Sequence, residues 1–421
     1  MMDDRASSLY DSIVTDSWLT HLERNTYLDK LRPLYHDCDL VKVLTGVRRC
    51  GKSVLLRQVA EDLRRTVPAD RVIEANFELA SLASVQTWED LDRLMTSKID
   101  DASAVYYVLL DEVQEIEHFE KAVNSLRARG NISVFITGSN AHILSGELST
   151  YLAGRYREIR VWPLNYAETL ALQRLNGLSV DNALQDYLQW GGMPHRFRLV
   201  DDDMRGYLRD VFNSVVLRDV VKRTGIRDIA GLESIIDFTL ENLGRVMSPA
   251  SLSNYLKAQR RTVAVETIYT YLRALCDALL LNRVRRYDVR GKKVMASLDK
   301  YYATDVGILA SKQVGSGPGL GDLIENTVYT QLAARGFDVY AGETKAGEID
   351  FVAVKDEPRY IQVTYLLASD EVVRREYSAF AALRDGYPRF LISADPLTSN
   401  RDGVTHLKLE DFLLNPPEAL Q

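Results

Sequence analysis

Residues 40–58 read LVKVLTGVRRCGKSVLLRQ: an apolar run, a basic loop bounded by glycines, and the start of an amphipathic helix. Leu40 to Thr45 has strand character throughout. Gly46-Val47-Arg48-Arg49-Cys50-Gly51-Lys52-Ser53 fits GxxxxGK(S/T), and a strand before it with a helix after it is the context that pattern needs. Glycines let the backbone curl until its N–H groups face one point. The helix N-terminus adds partial positive charge there. Gly46, Arg49, Cys50, Gly51, Lys52, Ser53 and Val54 therefore form the candidate nucleotide-binding set. Lys52 is placed to reach β- and γ-phosphates, and the Ser53 hydroxyl to hold Mg²⁺. The plainer alternative, a glycine turn with a solvated lysine, leaves the flanking strand and helix unexplained.

A second apolar run, VYYVLL (105–110), ends in Asp111-Glu112. Sheets of this kind bind ligands at strand C-termini. Asp111 is the candidate Mg²⁺ ligand and Glu112 the candidate general base for a water; the alternative is an acidic pair capping the next helix. Such a pair favours hydrolysis over phosphoryl transfer to a small acceptor. The guanine-reading NKxD pattern is absent from the sequence, so ATP with Mg²⁺ is expected. The run ISVFIT (132–137) ends in Thr137-Gly138-Ser139-Asn140, where a polar residue can sense the γ-phosphate. Thr137, Ser139 and Asn140 all qualify, Asn140 is the expected one, and helix capping by Ser139 or Asn140 is the alternative. Arg155, just before the run REIRVW (157–162), stands where ring-forming ATPases present an arginine to a neighbouring subunit, which implies a homo-oligomer; the alternative is a surface ion pair.

The whole chain has 421 residues, 46% apolar and 26% charged, values that exclude disorder for the bulk. Its net charge of −7 excludes a wholly cationic nucleic-acid coat but not a local basic face. Three cysteines, Cys38, Cys50 and Cys276, make no disulfide framework and fit reduced thiols in a cytoplasm. The apolar runs are far shorter than the ~20 residues of a membrane helix. The acidic N-terminus does not read as a signal peptide.

Strand-like runs at 40–45, 71–77, 105–110, 132–137 and 157–162 alternate with helical stretches, the pattern of a parallel sheet covered on both faces. Residues 1–163 are thus expected to form an α/β core with a polar helical lead-in, and 164–231 a helical region interrupted at Gly191-Gly192-Met193-Pro194. Residues 232–313 offer three helices (233–243, 249–258, 264–278) and two strand-like runs turned at Asp288–Gly291, which describes a winged helix-turn-helix. Its stretch 281–300 holds seven cations (Arg283, Arg285, Arg286, Arg290, Lys292, Lys293, Lys300) against Asp288 and Asp299. The basic wing 283–293 could follow a DNA backbone. Alternatively, the module packs against the core with its cations solvated. A Gly-rich linker (314–321) precedes an α/β segment, 322–421.

GVRRCGKS, LLDEVQ, TGSNAHILSG, LAGRYREIRVWPLNYAE, GGMP and KYYATDVGI, in this order, resemble the bacterial and archaeal ATPases of the AAA superfamily that carry a C-terminal domain of unassigned function. The resemblance implies an additional-strand P-loop core, a helical lid, a winged helix, a nuclease-like C-terminal fold, and ATP binding with hydrolysis. Glu325 on a helix, Asp350 on a strand, then Gln362 and Thr364 one strand on, resemble the PD-(D/E)xK nuclease order with the second acid and the lysine replaced. Glutamine is a weaker Mg²⁺ ligand and threonine carries no charge. Lys345 or Arg374 are the nearby cations that could substitute. An ATP-hydrolysing switch acting on DNA or a partner protein is therefore expected. The alternatives are an ATP-dependent nuclease and a non-hydrolysing ATP-binding interaction protein.

Overall fold

The computed structural model describes residues 22–139, 151–152, 154–199, 201–258, 260–295, 298–312, 319–345 and 347–421. They fall into two compact units, the first holding residues up to Val161 with Leu170–Val180, the second Trp162–Thr169 with Asp181–Gln421.

Five strands build the first unit: β1 Val41–Thr45, β2 Val72–Asn76, β3 Tyr106–Asp111, β4 Ile132–Gly138 and β5 Tyr156–Arg160. They run parallel in the order β2-β3-β4-β1-β5, so β4 lies between β1 and β3. The central strands β1, β3 and β4 are buried at every position, as apolar runs without alternation require in a sheet covered on both faces. Edge strand β5 carries its charges at half-exposed and exposed positions. The helices Lys52–Arg64 and Phe119–Ala128 pack apolar faces on the sheet. The expected α/β class and parallel sheet are both present. The helical lead-in is described only from Leu22, with one helix at Asn25–Leu31.

A buried carboxylate joins two motifs of the second unit. Asp305 accepts N–H bonds from Gly192 (2.7 Å) and Gly307 (2.9 Å), which joins GGMP to KYYATDVG. Burial pushes its pKa up to about 6, against the opposing effect of those two N–H groups and Arg196. Space at this junction is exhausted: a Cβ on Gly192 would lie 1.8 Å from the Leu164 carbonyl oxygen, and one on Gly307 2.1 Å from that of Trp190. Between the two motifs, Val215–Lys222 forms a π-helix, and the helices Ile229–Glu241, Pro249–Ala258 and Val265–Asp277 match the three predicted stretches to within a few residues.

The strand-like runs after them differ from the expected single hairpin. β6 Leu281–Val284 pairs antiparallel with β9 Lys300–Ala303 as a separate two-stranded sheet. The outer half, β7 Arg286–Asp288 and β8 Lys293–Val294, joins β10 Asp338–Thr344 instead, with β7 parallel to β10. Side-chain chemistry explains the split: Tyr287 and Val289 sit in the apolar core of the C-terminal sheet, and Arg286 pairs with Glu343 at 2.6 Å. The sheet continues through β11 Gly347–Val354, β12 Pro358–Thr364, β13 Arg389–Ser393 and β14 Thr405–Lys408, in the order β14-β13-β12-β11-β10-β7-β8. The sequence reading missed β14, whose four residues THLK lack a clear alternation.

Gly192→Ala is expected to lower stability by about 2 kcal/mol or more, since the Leu164 carbonyl and the Asp305 bond must both shift. Gly206→Ala, in the helix Asp201–Ser214 with open space at its Cβ position, is expected to be neutral or stabilising by ~0.5–1 kcal/mol. Denaturant unfolding of both variants measures the difference.

Candidate active site

The phosphate loop joins β1 to the helix Lys52–Arg64. Its left-handed positions are Arg49 (φ 65°) and Gly51 (φ 102°). Gly46 serves a different need: a Cβ there would lie 2.4 Å from the Val161 carbonyl oxygen and 2.7 Å from Cys50 Sγ. Cys50 is fully buried, and its thiol faces that same carbonyl at 3.3 Å. No side chain caps the helix start at Gly51, so its first N–H groups are left to an anion. Lys52 is buried, and its ammonium donates to the loop carbonyls of Gly46 (3.0 Å) and Val47 (3.3 Å).

The acidic pair is tied together by Thr137. Its hydroxyl donates to Asp111 Oδ1 at 2.6 Å and accepts the Glu112 N–H at 2.8 Å. Asn76 donates to the other Asp111 oxygen at 3.2 Å, and the Ser53 hydroxyl lies near enough to favour the charged form of Asp111. Burial and the neighbouring Glu112 charge raise the Asp111 pKa, while the Thr137 and Ser53 hydroxyls and Lys52 oppose the rise. Glu112 itself is in left-handed backbone, φ 53°, strained for a side chain of this size. One of its carboxylate oxygens receives the Gln114 amide, and the other lies 3.9 Å from the Lys52 ammonium. The donor set here is hydroxyl and carboxylate oxygen, which suits Mg²⁺.

The fold thus brings together Lys52, Ser53, Asp111 and Glu112, and of the three candidate sensors it is Thr137 that touches the acidic pair. Ser139 is buried, and Asn140 lies outside the described residues. Arg155 is elsewhere. It precedes the first register pair, Val41↔Tyr156, while the loop follows the last, Thr45↔Arg160. A five-residue strand, roughly 15 Å, separates Arg155 from its own phosphate loop. Its exposed guanidinium faces Asp39 at 3.8 Å, the partner that the ion-pair alternative calls for. Two contributors went unread in the sequence. Asn76 was legible in principle, as a polar residue ending a strand beside Asp111. Arg24, which is buried and donates to the Cys50 carbonyl at 3.3 Å, has no local signal.

A family model described as an AAA domain matches residues 39–170, and one described as a domain of unknown function matches residues 181–316. An uncharacterized protein of Haemophilus influenzae is 34% identical over 398 residues, covering 93% of this chain and 98% of that one. An uncharacterized protein of Methanocaldococcus jannaschii is 26% identical over 388 residues, covering 88% and 85%. Among solved structures, the Aeropyrum pernix ORC2 protein in ADPNP–ADP complexes aligns at 12% identity and TM-score 0.38, over 79% of this chain and 95% of that chain.

Thr137→Val keeps the shape of the side chain but leaves the buried Glu112 N–H without an acceptor and Asp111 without a donor. It is expected to cost about 1–3 kcal/mol in denaturant unfolding, and Thr137→Ser, which keeps the hydroxyl, less than half of that.

Proposed function

The chain belongs to the AAA-type P-loop ATPases, and on that premise we propose that it is an ATP-hydrolysing molecular switch whose output is directed to DNA or a partner protein. The hydrogen-bond chain Asp111–Thr137–Glu112 beside the phosphate loop carries the reading. It fixes one carboxylate beside Ser53 and ties down the next residue, whose backbone is strained and whose carboxylate is within reach of Lys52. On nucleotide binding, Lys52 exchanges its two loop carbonyls for phosphate oxygens, and the backbone N–H groups of residues 46–54 receive the rest of the phosphate charge. Ser53 and Asp111 would hold Mg²⁺, which neutralises phosphate charge when bound. Glu112, freed from the lysine, takes a proton from the attacking water.

Arg155 can meet a γ-phosphate only in a second copy of this chain, so its catalytic role entails a homo-oligomer. DNA would be met through the exposed cations Arg285, Arg290, Lys292 and Lys293 at the β7–β8 edge. Arg283 and Arg286 are spent on Asp299 and Glu343. Residues 164–231 are read as the helical lid, 232–313 as a winged helix, and 322–421 as a nuclease-like domain that does not cleave. For the last, Gln362 turns its amide to Glu376 at 2.9 Å, and the next position on that face is the uncharged Thr364. No helix among the described residues is long and apolar enough to cross a membrane.

Lys52→Ala is expected to abolish tight ATP binding. Glu112→Gln is expected to bind ATP normally and to lose turnover by about 100-fold or more. Turnover measured with and without duplex DNA tests the switch; wild-type-like hydrolysis in Glu112→Gln would remove the base assignment. Mixing Arg155→Ala with Glu112→Gln protein should restore part of the activity if the arginine acts across an interface. No rescue, together with a monomer in ATP, assigns Arg155 to Asp39 alone.

A further inference from the structure

KYYATDVG (300–307) takes no part in the nucleotide site, and it opens with a buried lysine. The Lys300 side chain is 2% exposed. Its ammonium lies 3.4 Å from Glu325 Oε1, on the helix Leu320–Ala334, and also pairs with Glu348 on β11. Tyr302, two residues on, donates to the same Glu325 oxygen at 2.6 Å. Burial alone would pull the ammonium's pKa down, but the charges of Glu325, Asp350 and Glu348 hold it above the ordinary lysine value. Asp350 is pushed well above the carboxylate range by burial and by the Glu325 charge; burial raises Glu325 too, against the pull of Lys300.

Glu325, Glu348 and Asp350 line a cleft of about 530 Å³ together with Gln362, Arg375 and Glu376. Lys300 belongs to β9 and its side chain is almost fully buried, so its ammonium meets the carboxylates from within the fold and not from the open cleft. A lysine that orients an attacking water on a metal centre has to reach the open side of that centre. With Lys300 seated, no group of three or more acidic, histidine or cysteine side chains among the described residues is arranged to hold a metal. The position that an acid would fill is Gln362, whose carbonyl accepts the Asp350 N–H at 3.3 Å while its amide is bonded to Glu376.

We propose that the Lys300 ammonium occupies the cation place of this carboxylate cluster, so that the C-terminal cleft takes no divalent metal while Lys300 is seated. The lysine is an internal counter-ion, contributed by a strand outside residues 322–421, and it clamps β9 to the helix and strand that carry the carboxylates. The proposal rests on the nuclease-like reading of 322–421 and is independent of the ATPase.

The probe is Mn²⁺, titrated against nucleotide-free full-length protein and followed by the electron paramagnetic resonance of the free ion. Wild type is expected to show no Mn²⁺ site that Glu325→Gln removes. Lys300→Met is expected to gain one site per chain, about tenfold or more tighter than any in wild type, and Lys300→Met/Glu325→Gln to lose it. The melting temperature of Lys300→Met should fall by roughly 10 °C and recover in part with Mn²⁺. A Glu325-dependent Mn²⁺ site in wild type overturns the proposal, and so does a folded Lys300→Met that binds none. Should Lys300→Met fail to fold, the wild-type and Glu325→Gln comparison decides alone. Mn²⁺-dependent DNA nicking by wild type, lost in Asp350→Asn, would sink the non-cleaving reading as well; a Mn²⁺ site without nicking sinks only the counter-ion.

Discussion

The candidate active site depends on the placing of β4 between β1 and β3. Parallel pairing on both sides of β4 brings three strand C-termini to one sheet edge. The phosphate loop leaves β1 there, the acidic pair ends β3, and Thr137 lies near the end of β4 with a bond to each member of that pair. Had β3 paired directly with β1, the space now held by the threonine would be missing, and two buried carboxylates would face the lysine with no neutral donor between them. The Thr137 hydroxyl donates one hydrogen bond to Asp111 and accepts one from the Glu112 N–H, so it satisfies two buried polar groups without adding charge.

Space sets the phosphate loop as much as charge does. The motif reading attributes its glycines to backbone freedom, and Gly51 bears that out, with φ 102°. Gly46 is constrained by contact, because the loop closes on the Val161 carbonyl and the Cys50 thiol. The same holds in the second unit, where Gly192 and Gly307 lie against carbonyl oxygens around Asp305. In both places a glycine marks where backbone approaches backbone, and a side chain there would break packing before it strained any dihedral.

The first unit was legible because its signals are local. Five apolar runs gave five strands, and GVRRCGKS and Asp111-Glu112 fell where the sheet order puts them. Arg155, expected to face a neighbouring subunit, stands just before β5, at the end of the strand away from its own loop. What went unread depends on tertiary contact. Arg24 reaches the Cys50 carbonyl from 26 residues upstream, a distance over which no periodicity speaks. The turn residues Asp288 and Gly291 signal one hairpin, because each is a strong turn former locally. The structure splits the run around Arg285, and Tyr287 and Val289 pack in the apolar core of the C-terminal sheet, where β7 pairs with β10. Gly291 still turns the outer hairpin, with its N–H on the Asp288 carboxylate at 2.9 Å.

That split is also what makes KYYATDVG the junction of the second unit. β9 remains with β6, while the outer strands belong to the C-terminal sheet. Along this short segment nearly every polar group is committed to a different partner. Lys300 and Tyr302 hold Glu325, the Ala303 backbone exchanges two hydrogen bonds with the Asn326 side chain (2.8 and 3.0 Å), the Thr304 hydroxyl receives Asn282 at 3.1 Å, and Asp305 holds the two glycines. Each such group is buried, so removing any one partner strands another polar atom away from water. A segment built this way cannot slide by one residue: strand alternation would carry Lys300 and Tyr302 to the opposite face and leave Glu325 and Asp350 without their cation. The order of the motif is therefore dictated by a separate polar partner at nearly every position, which is a stronger specification than its modest apolar content would give.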